Sequence, residues 1–203
     1  MDMAFPKQIQ AKQTIFYQGE VPARSFRIVS GLVRAYIIHD SGEEATIAFF
    51  GPGDIFPVAT AYDVLPVTLF YYEAFSSCEL EVASPEESSS DFPRLARRYV
   101  GALLHISALA QDTAAGKVAY TLRYLAVKFG EKLPDGRHYK ISIRLTQQDI
   151  AKLCNISRET TSLELTKLKK LLLIRERNKH YVVNLAKLSA EVGEPHSSEL
   201  DLG

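Results

Sequence analysis

Thr146-Gln-Gln-Asp-Ile-Ala-Lys-Leu-Cys-Asn-Ile-Ser-Arg-Glu-Thr-Thr-Ser-Leu-Glu-Leu-Thr-Lys-Leu-Lys-Lys-Leu171 contains two helix-start signals close together. Thr146, with Asp149 three residues on, and Ser157 each offer a side-chain oxygen to an orphan N–H of a helical first turn. This spacing predicts two short helices joined by a tight turn. Ile150, Leu153 and Ile156 supply apolar contacts, and small Ala151 lets the second helix cross closely. Thr161, Leu165, Leu168 and Leu172 continue an inward stripe at helical spacing. The other face of the second helix carries Arg158, Glu159, Ser162, Leu163, Thr166, Lys167 and Lys170. A first turn of this kind suits the edges of bases in a major groove, where arginine takes guanine bidentately and glutamate accepts from cytosine N4. The alternative is a helical hairpin whose charged face is merely solvated.

Working outward, Tyr139-Lys-Ile-Ser-Ile-Arg-Leu145 alternates apolar and polar residues as a half-buried strand does. Leu173 to Glu176 and His180 to Asn184 flank a polar turn at Asn178 and Lys179. Strand, two helices and a hairpin make a winged helix-turn-helix, with Arg175, Arg177, Lys179 and His180 lining a wing that faces phosphate. Charge supports this reading. The formal net charge is zero, yet residues 1–92 hold 5 Lys/Arg against 13 Asp/Glu (−8), while residues 137–187 hold 12 against 4 (+8). Only the second block suits a polyanion.

Upstream, Phe92-Pro93 starts a helix on which Ala96, Tyr99, Leu103, Ile106, Ala110 and Thr113 recur at alternating three and four residues. This is the seam of a two-stranded coiled coil and predicts a dimer interface. Val100, Leu104 and Ala108, on neighbouring positions, indicate that the helix also packs on its own β-domain. Gly116 marks a break before a second helix, Lys117 to Glu131, and Leu133-Pro-Asp-Gly136 is a turn that would serve as the hinge. Residues 1–92 read as short strands punctuated by glycine, in the segments Thr14–Glu20, Phe26–Gly31, Leu32–Ile38 and Thr46–Asp54. Such spacing predicts an all-β barrel or sandwich.

At 203 residues and 46% hydrophobic, the chain is long enough for one large or two modest cores. It has no apolar run of about eighteen residues and no basic-apolar leader, which predicts a soluble cytoplasmic protein without a membrane partner. Two cysteines, Cys78 and Cys154, fit neither a disulfide framework nor a metal site, and each is expected to be a buried small hydrophobe. An iron–sulfur cluster needs about four cysteines. Haem has as candidate ligands the isolated His39, His105 and Cys78, each with a plainer structural role. No cofactor or metal is expected. An enzyme is disfavoured: there is no P-loop, no nucleophile–base cluster, and the histidines are scattered at 39, 105, 138, 180 and 196.

Leu145-Thr-Gln-Gln-Asp-Ile-Ala151, Ser157-Arg-Glu-Thr160, Leu173-Ile174 and the basic hairpin closely resemble the DNA-binding domain of the CRP/FNR transcription regulators, and the likeness covers nearly the whole chain. The resemblance implies an α+β protein in three parts: a β jelly-roll sensor domain of the cyclic-nucleotide-binding type (1–92), a dimerisation helix with a following helix (93–133), and a winged helix-turn-helix (134–203). It implies a homodimer on a pseudo-palindromic operator. Arg158, Glu159, Ser162 and Leu163 would contact bases, and Thr146, Gln147, Thr160, Lys167, Arg175, Arg177, Lys179 and His180 would contact phosphate. Double-stranded DNA, a second copy of the chain and RNA polymerase are the implied macromolecular partners.

Two departures from the family pattern matter. Phe56-Pro57-Val58 stands where the phosphate cassette of nucleotide-binding members begins, and Thr68-Leu69 stands where its Arg-Ser pair falls. A buried phosphate without its arginine is strongly disfavoured, so no cyclic nucleotide is expected. The segment instead offers Phe56, Val58, Leu69, Tyr71 and Tyr72, either as core filling or as the lining of a pocket for a small apolar or aromatic effector, with Tyr62 among its polar contacts. In the second helix, Leu163 replaces an arginine common in the family, and Glu164 follows at an apolar position. These two residues are the support for a rival reading, a ligand-binding or protein-interaction module that has lost specific DNA binding.

Overall fold

The computed structural model describes residues 7–61, 64–83 and 92–191, so Tyr62 lies outside the described residues. The chain divides into two compact units, Met1–Ala96 and Arg97–Gly203. The segments expected at 93–133 and 134–203 therefore fall almost wholly in the second unit.

The first unit is a pair of antiparallel four-stranded sheets. Its strands are β1 (Lys7–Ile9), β2 (Thr14–Phe16), β3 (Phe26–Ser30), β4 (Val33–Ile38), β5 (Glu44–Phe50), β6 (Ile55–Phe56), β7 (Tyr71–Ala74) and β8 (Cys78–Val82), with a short helix α1 (Val58–Ala61) after β6. The sheets run β1-β8-β3-β6 and β2-β7-β4-β5. Alternation along the strands sends one side of each sheet into a shared core. Ile9, Phe26, Ile28, Phe56 and Leu80 enter from one sheet, and Phe16, Val33, Ala35, Phe50 and Tyr72 from the other. Gly31 is required where it sits. Its φ is +88°, and a Cβ there would meet the Ser77 carbonyl oxygen at 2.2 Å.

The second unit takes in α2 (Phe92–Leu109) from Arg97 onward and then α3 (Ala114–Phe129). Gly101, His105 and Ala108, one face of α2, are buried, and the His105 ring lies 5.3 Å from that of Tyr124 on α3. The seam face carries Tyr99, Leu103 and Ile106, exposed at 66%, 44% and 60%. The seam is shorter than its spacing predicts. Ala110 lies beyond the helix, and Thr113 is the N-cap of α3, its hydroxyl accepting from Gly116 N at 3.0 Å. The break thus falls at 110–113 rather than at Gly116, which is inside the first turn of α3. A Cβ at Gly116 would approach Gln111 Cβ at 3.1 Å and Thr113 Oγ1 at 3.2 Å, which accounts for the glycine without a break.

The rest of this unit is β9 (Gly130–Lys132), β10 (His138–Ile141), α4 (Gln147–Cys154), α5 (Arg158–Lys170), β11 (Ile174–Arg177), β12 (His180–Asn184) and α6 (Leu185–Glu191), with sheet order β11-β12-β10-β9. Leu133–Gly136 is a hairpin turn between adjacent strands of this sheet and not a hinge. Asp135 accepts from the N–H groups of Arg137 and His138 and pairs with the His138 ring at 2.6 Å, which holds its carboxyl at about 2. The strand expected over 139–145 pairs only to Ile141, but its alternation continues: Ile141, Ile143 and Leu145 are all buried.

The inward stripe of α5 ends before Leu172. Thr161, Leu165 and Leu168 are buried, whereas Leu172 is 64% exposed with φ +56°. Its N–H donates to Lys169 O and that of Leu173 to Leu168 O, each at 3.0 Å. This is a Schellman ending, in which the residue after the cap takes the left-handed region that favours glycine. Leu172→Gly is therefore expected to stabilise the protein by about 1 kcal/mol, because an exposed leucine there loses little burial and the left-handed cost is relieved. Chemical denaturation checks this, and an unchanged or lower midpoint would count against it.

Candidate nucleic-acid interface

The two caps form as their sequences predict. Asp149 N donates to Thr146 Oγ1 at 3.1 Å and Thr146 N to Asp149 Oδ2 at 2.7 Å, closing a capping box. Asn155 takes the left-handed conformation at the end of α4 and turns the chain toward Ser157, whose Oγ accepts from Thr160 N at 3.1 Å. Ile150, Ala151, Leu153 and Cys154 on α4 are buried, as are Thr161, Glu164, Leu165 and Leu168 on α5. Outward on the N-terminal half of α5 are Arg158 and Glu159 in its first turn, half-buried Ser162, then Leu163, 64% exposed. These four positions share one face at helical spacing. Glu159 near the N-terminus and Lys167, Lys169 and Lys170 in the last turn also complement the helix dipole.

The phosphate candidates divide into two groups. Arg175, Arg177 and Lys179 are exposed on the wing, and Gln147 opens α4, where backbone N–H groups point outward. The rest have protein partners. The Thr146 hydroxyl donates to Asp149 at 2.6 Å, the Thr160 hydroxyl pairs with Ser157 Oγ at 2.9 Å, and Lys167 Nζ lies 2.7 Å from Glu164 Oε1. His180 turns inward, its Nδ1 3.2 Å from the Ile141 carbonyl oxygen. Lys167 answers what Glu164 does at a nominally apolar position: the carboxylate, 10% exposed, is compensated from its own helix.

The wing turn has Asn178 at φ +53° and Lys179 at φ +63°, two left-handed residues between paired Arg177 and His180. This is the two-residue hairpin in which Asn-Gly is the favoured pair. Here the second place holds a lysine instead, which puts a cation at the tip despite the backbone cost. The Lys179 carbonyl accepts from Leu145 N at 2.9 Å, tying the tip to the residue before the α4 cap.

In the first unit, the five residues offered as a pocket lining do not converge. Successive residues of β7 face opposite ways. Tyr72 is 3% exposed in the core, stacked on Phe56 with centroids 5.6 Å apart, and Val58 packs against the same core. Tyr71 instead stacks on Tyr36 at 5.2 Å, on the other face, where Arg34 lies 4.2 Å over the Tyr36 ring and bonds to Glu44 and Glu73. Leu69 is 46% exposed. Thr68 is buried and its hydroxyl donates to the Tyr17 carbonyl oxygen at 2.5 Å. Both thiols are buried: burial raises that of Cys78 and pushes that of Cys154 up to about 12. Among the described residues no group of His, Cys, Asp and Glu has the arrangement of a metal site, and no helix is long and apolar enough to cross a membrane.

Residues 6–80 match the model of the cyclic nucleotide-binding domain, and residues 116–191 match that of the Crp-like helix-turn-helix domain. A CRP-like cAMP-activated global transcriptional regulator of Mycobacterium tuberculosis is 30% identical over 174 residues, 78% of this chain and 77% of the relative. The global nitrogen regulator of Synechococcus elongatus is 26% identical over 189 residues, 87% and 84% of the two chains. A CRP-family transcriptional regulator of Thermus thermophilus shares the fold, with TM-score 0.75 at 23% identity over 95% of this chain and 99% of that one. A jelly roll followed by a capped helix pair and a basic wing, matched in order by both domain models, places this chain in the CRP/FNR family of DNA-binding transcription regulators.

Proposed function

We propose that this chain is a homodimeric regulator, not an enzyme, that reads a pseudo-palindromic operator with α5 in the major groove and operates without a cyclic nucleotide. The observation that carries the reading is the outward face of α5, where Arg158 and Glu159 stand exposed in a first turn fixed by the Ser157 cap. Arg158, Glu159, Ser162 and Leu163 contact bases, the leucine against a thymine methyl. Arg177, Lys179 and the N-terminus of α4 take phosphates on either side. Thr146 and Thr160 hold the backbone that does so, and Lys167 shares its charge with Glu164.

The exposed stripe Tyr99, Leu103 and Ile106 on α2 supports a two-stranded contact with a second copy. A dimer would set two α5 helices about one DNA turn apart. RNA polymerase is the partner through which such a regulator acts on transcription. The M. tuberculosis relative is named for cAMP activation, but the residues here do not fit that ligand. The Thr68 hydroxyl is spent on the Tyr17 carbonyl, Leu69 points to solvent, and Phe56 and Tyr72 fill the space between the sheets. Phe56, Val58 and Tyr72 are better read as core, and Leu69 and Tyr71 as lying away from it, than all five as a pocket for a small apolar effector.

Selection from a randomised duplex pool tests this reading. Enrichment of a two-fold symmetric site, with half-sites about 10 base pairs apart centre to centre, is the expected outcome. A pool that stays random under binding conditions would leave only the interaction-module reading.

A further inference from the structure

The wing strand β11 presents its two faces to different tasks. Its register pairs Arg175 with Val182, Glu176 with Tyr181 and Arg177 with His180. Side chains of Arg175 and Arg177 therefore share one face, and Glu176 shares the other with Tyr181, which is fully buried. That second face looks onto α5. There Lys169 Nζ, in the last turn of the helix, forms an ion pair with Glu176 Oε2 and lies 6.0 Å from the centroid of the Tyr181 ring. The pair is 36% and 27% exposed, which keeps it partly out of water. The Tyr181 hydroxyl is raised, first by burial and then by the charge of Glu176.

A glutamate in a hairpin that meets DNA is a liability by charge alone, since every anion near phosphate opposes binding. Its compensation by a lysine of α5 gives it another use. We propose that Glu176 is a positioning residue: by tying β11 to the end of α5 over the Tyr181 ring, it fixes the direction in which Arg177 and Lys179 project from the wing while Arg158 and Glu159 occupy the groove. The inference rests on the DNA-binding reading above. Its chemistry is that of a hinge held shut. Between Lys169 and Glu176 the chain makes the left-handed turn at Leu172, and the ion pair is a link across that turn between side chains seven residues apart.

The two views of Glu176 differ in sign, which makes the test sharp. A bare negative charge beside DNA predicts that Glu176→Gln binds tighter. A positioning residue predicts that it binds weaker, by about fivefold, with the salt slope reduced by about two because each of the two wings loses a phosphate contact. The measurement is fluorescence anisotropy of the full chain on a duplex that the wild-type protein selects from a random pool, over a salt series. Thermal melting is run alongside to confirm that the variants are folded. Lys169→Met should weaken binding similarly, and the double variant should be no worse than either single one, since each removes the same link. Glu176→Gln binding as tightly as wild type or more so, or two single losses that add, would overturn the assignment while leaving the regulator reading intact. A wild-type protein without salt-dependent binding would overturn both.

Discussion

Arg158→Ala is expected to lose about 2–6 kcal/mol of operator affinity if, as proposed, the arginine takes a guanine bidentately in both halves of a dimer, because each such contact contributes about 1–3 kcal/mol of discrimination. The side chain is exposed in the first turn of α5, immediately after the Ser157 cap. Its removal leaves the packing of α5 untouched, since the buried set there is Thr161, Glu164, Leu165 and Leu168. Affinity for random-sequence DNA should fall far less, because that affinity comes from the summed phosphate contacts. The ratio of the two affinities, measured by anisotropy, is therefore the informative quantity. Equal losses on operator and random duplex would reduce Arg158 to one more surface charge.

Phe56→Ala should cost about 3–5 kcal/mol of stability in the jelly-roll unit, the range for truncating a fully buried aromatic ring. Phe56 has no exposed surface and packs among four other rings, with centroids 6.1 Å away for Phe16, 6.3 Å for Phe26, 6.0 Å for Phe50 and 5.6 Å for Tyr72. Stacked, tilted and edge-on contacts of this kind add to the burial itself. Denaturant unfolding monitored by tyrosine fluorescence reads the loss. A cost below about 1 kcal/mol would mean that the ring borders open space, as the wall of a pocket does, and would revive an effector site between the sheets.

The parts of this protein that could be read from its amino acids are those set by neighbours a few residues apart. The Thr146–Asp149 box, the Ser157 cap and the alternation Ile141, Ile143, Leu145 are all local, and each has its predicted form. Errors arise where a period continues past the element that produced it. Leu172 keeps the spacing of the α5 stripe, and Ala110 and Thr113 that of the α2 seam, but in each case the helix has ended and a capping residue has taken over. Leu133–Gly136 is a turn, as its residues predict, yet a turn has no signal that separates a hairpin from a hinge; that depends on whether the flanking segments pair. Tyr71 and Tyr72 group together by composition, whereas a strand sends them to opposite faces. The Lys169–Glu176 pair has no signature in the sequence. The two residues are seven apart across the end of a helix, and only the return of β11 along α5 brings them together. The charge division between the halves of the chain, by contrast, needs no structure at all.

Anisotropy of the wild-type protein on its selected duplex, over a salt series and with or without cAMP, bears most directly on the whole account. The expected result is tight binding whose logarithm falls linearly with the logarithm of salt, with a slope of about −5 or steeper for two basic wings and two helix N-termini, and curves that coincide with and without cAMP. A flat salt dependence would contradict the DNA interface, and tightening by cAMP would contradict the filled jelly roll.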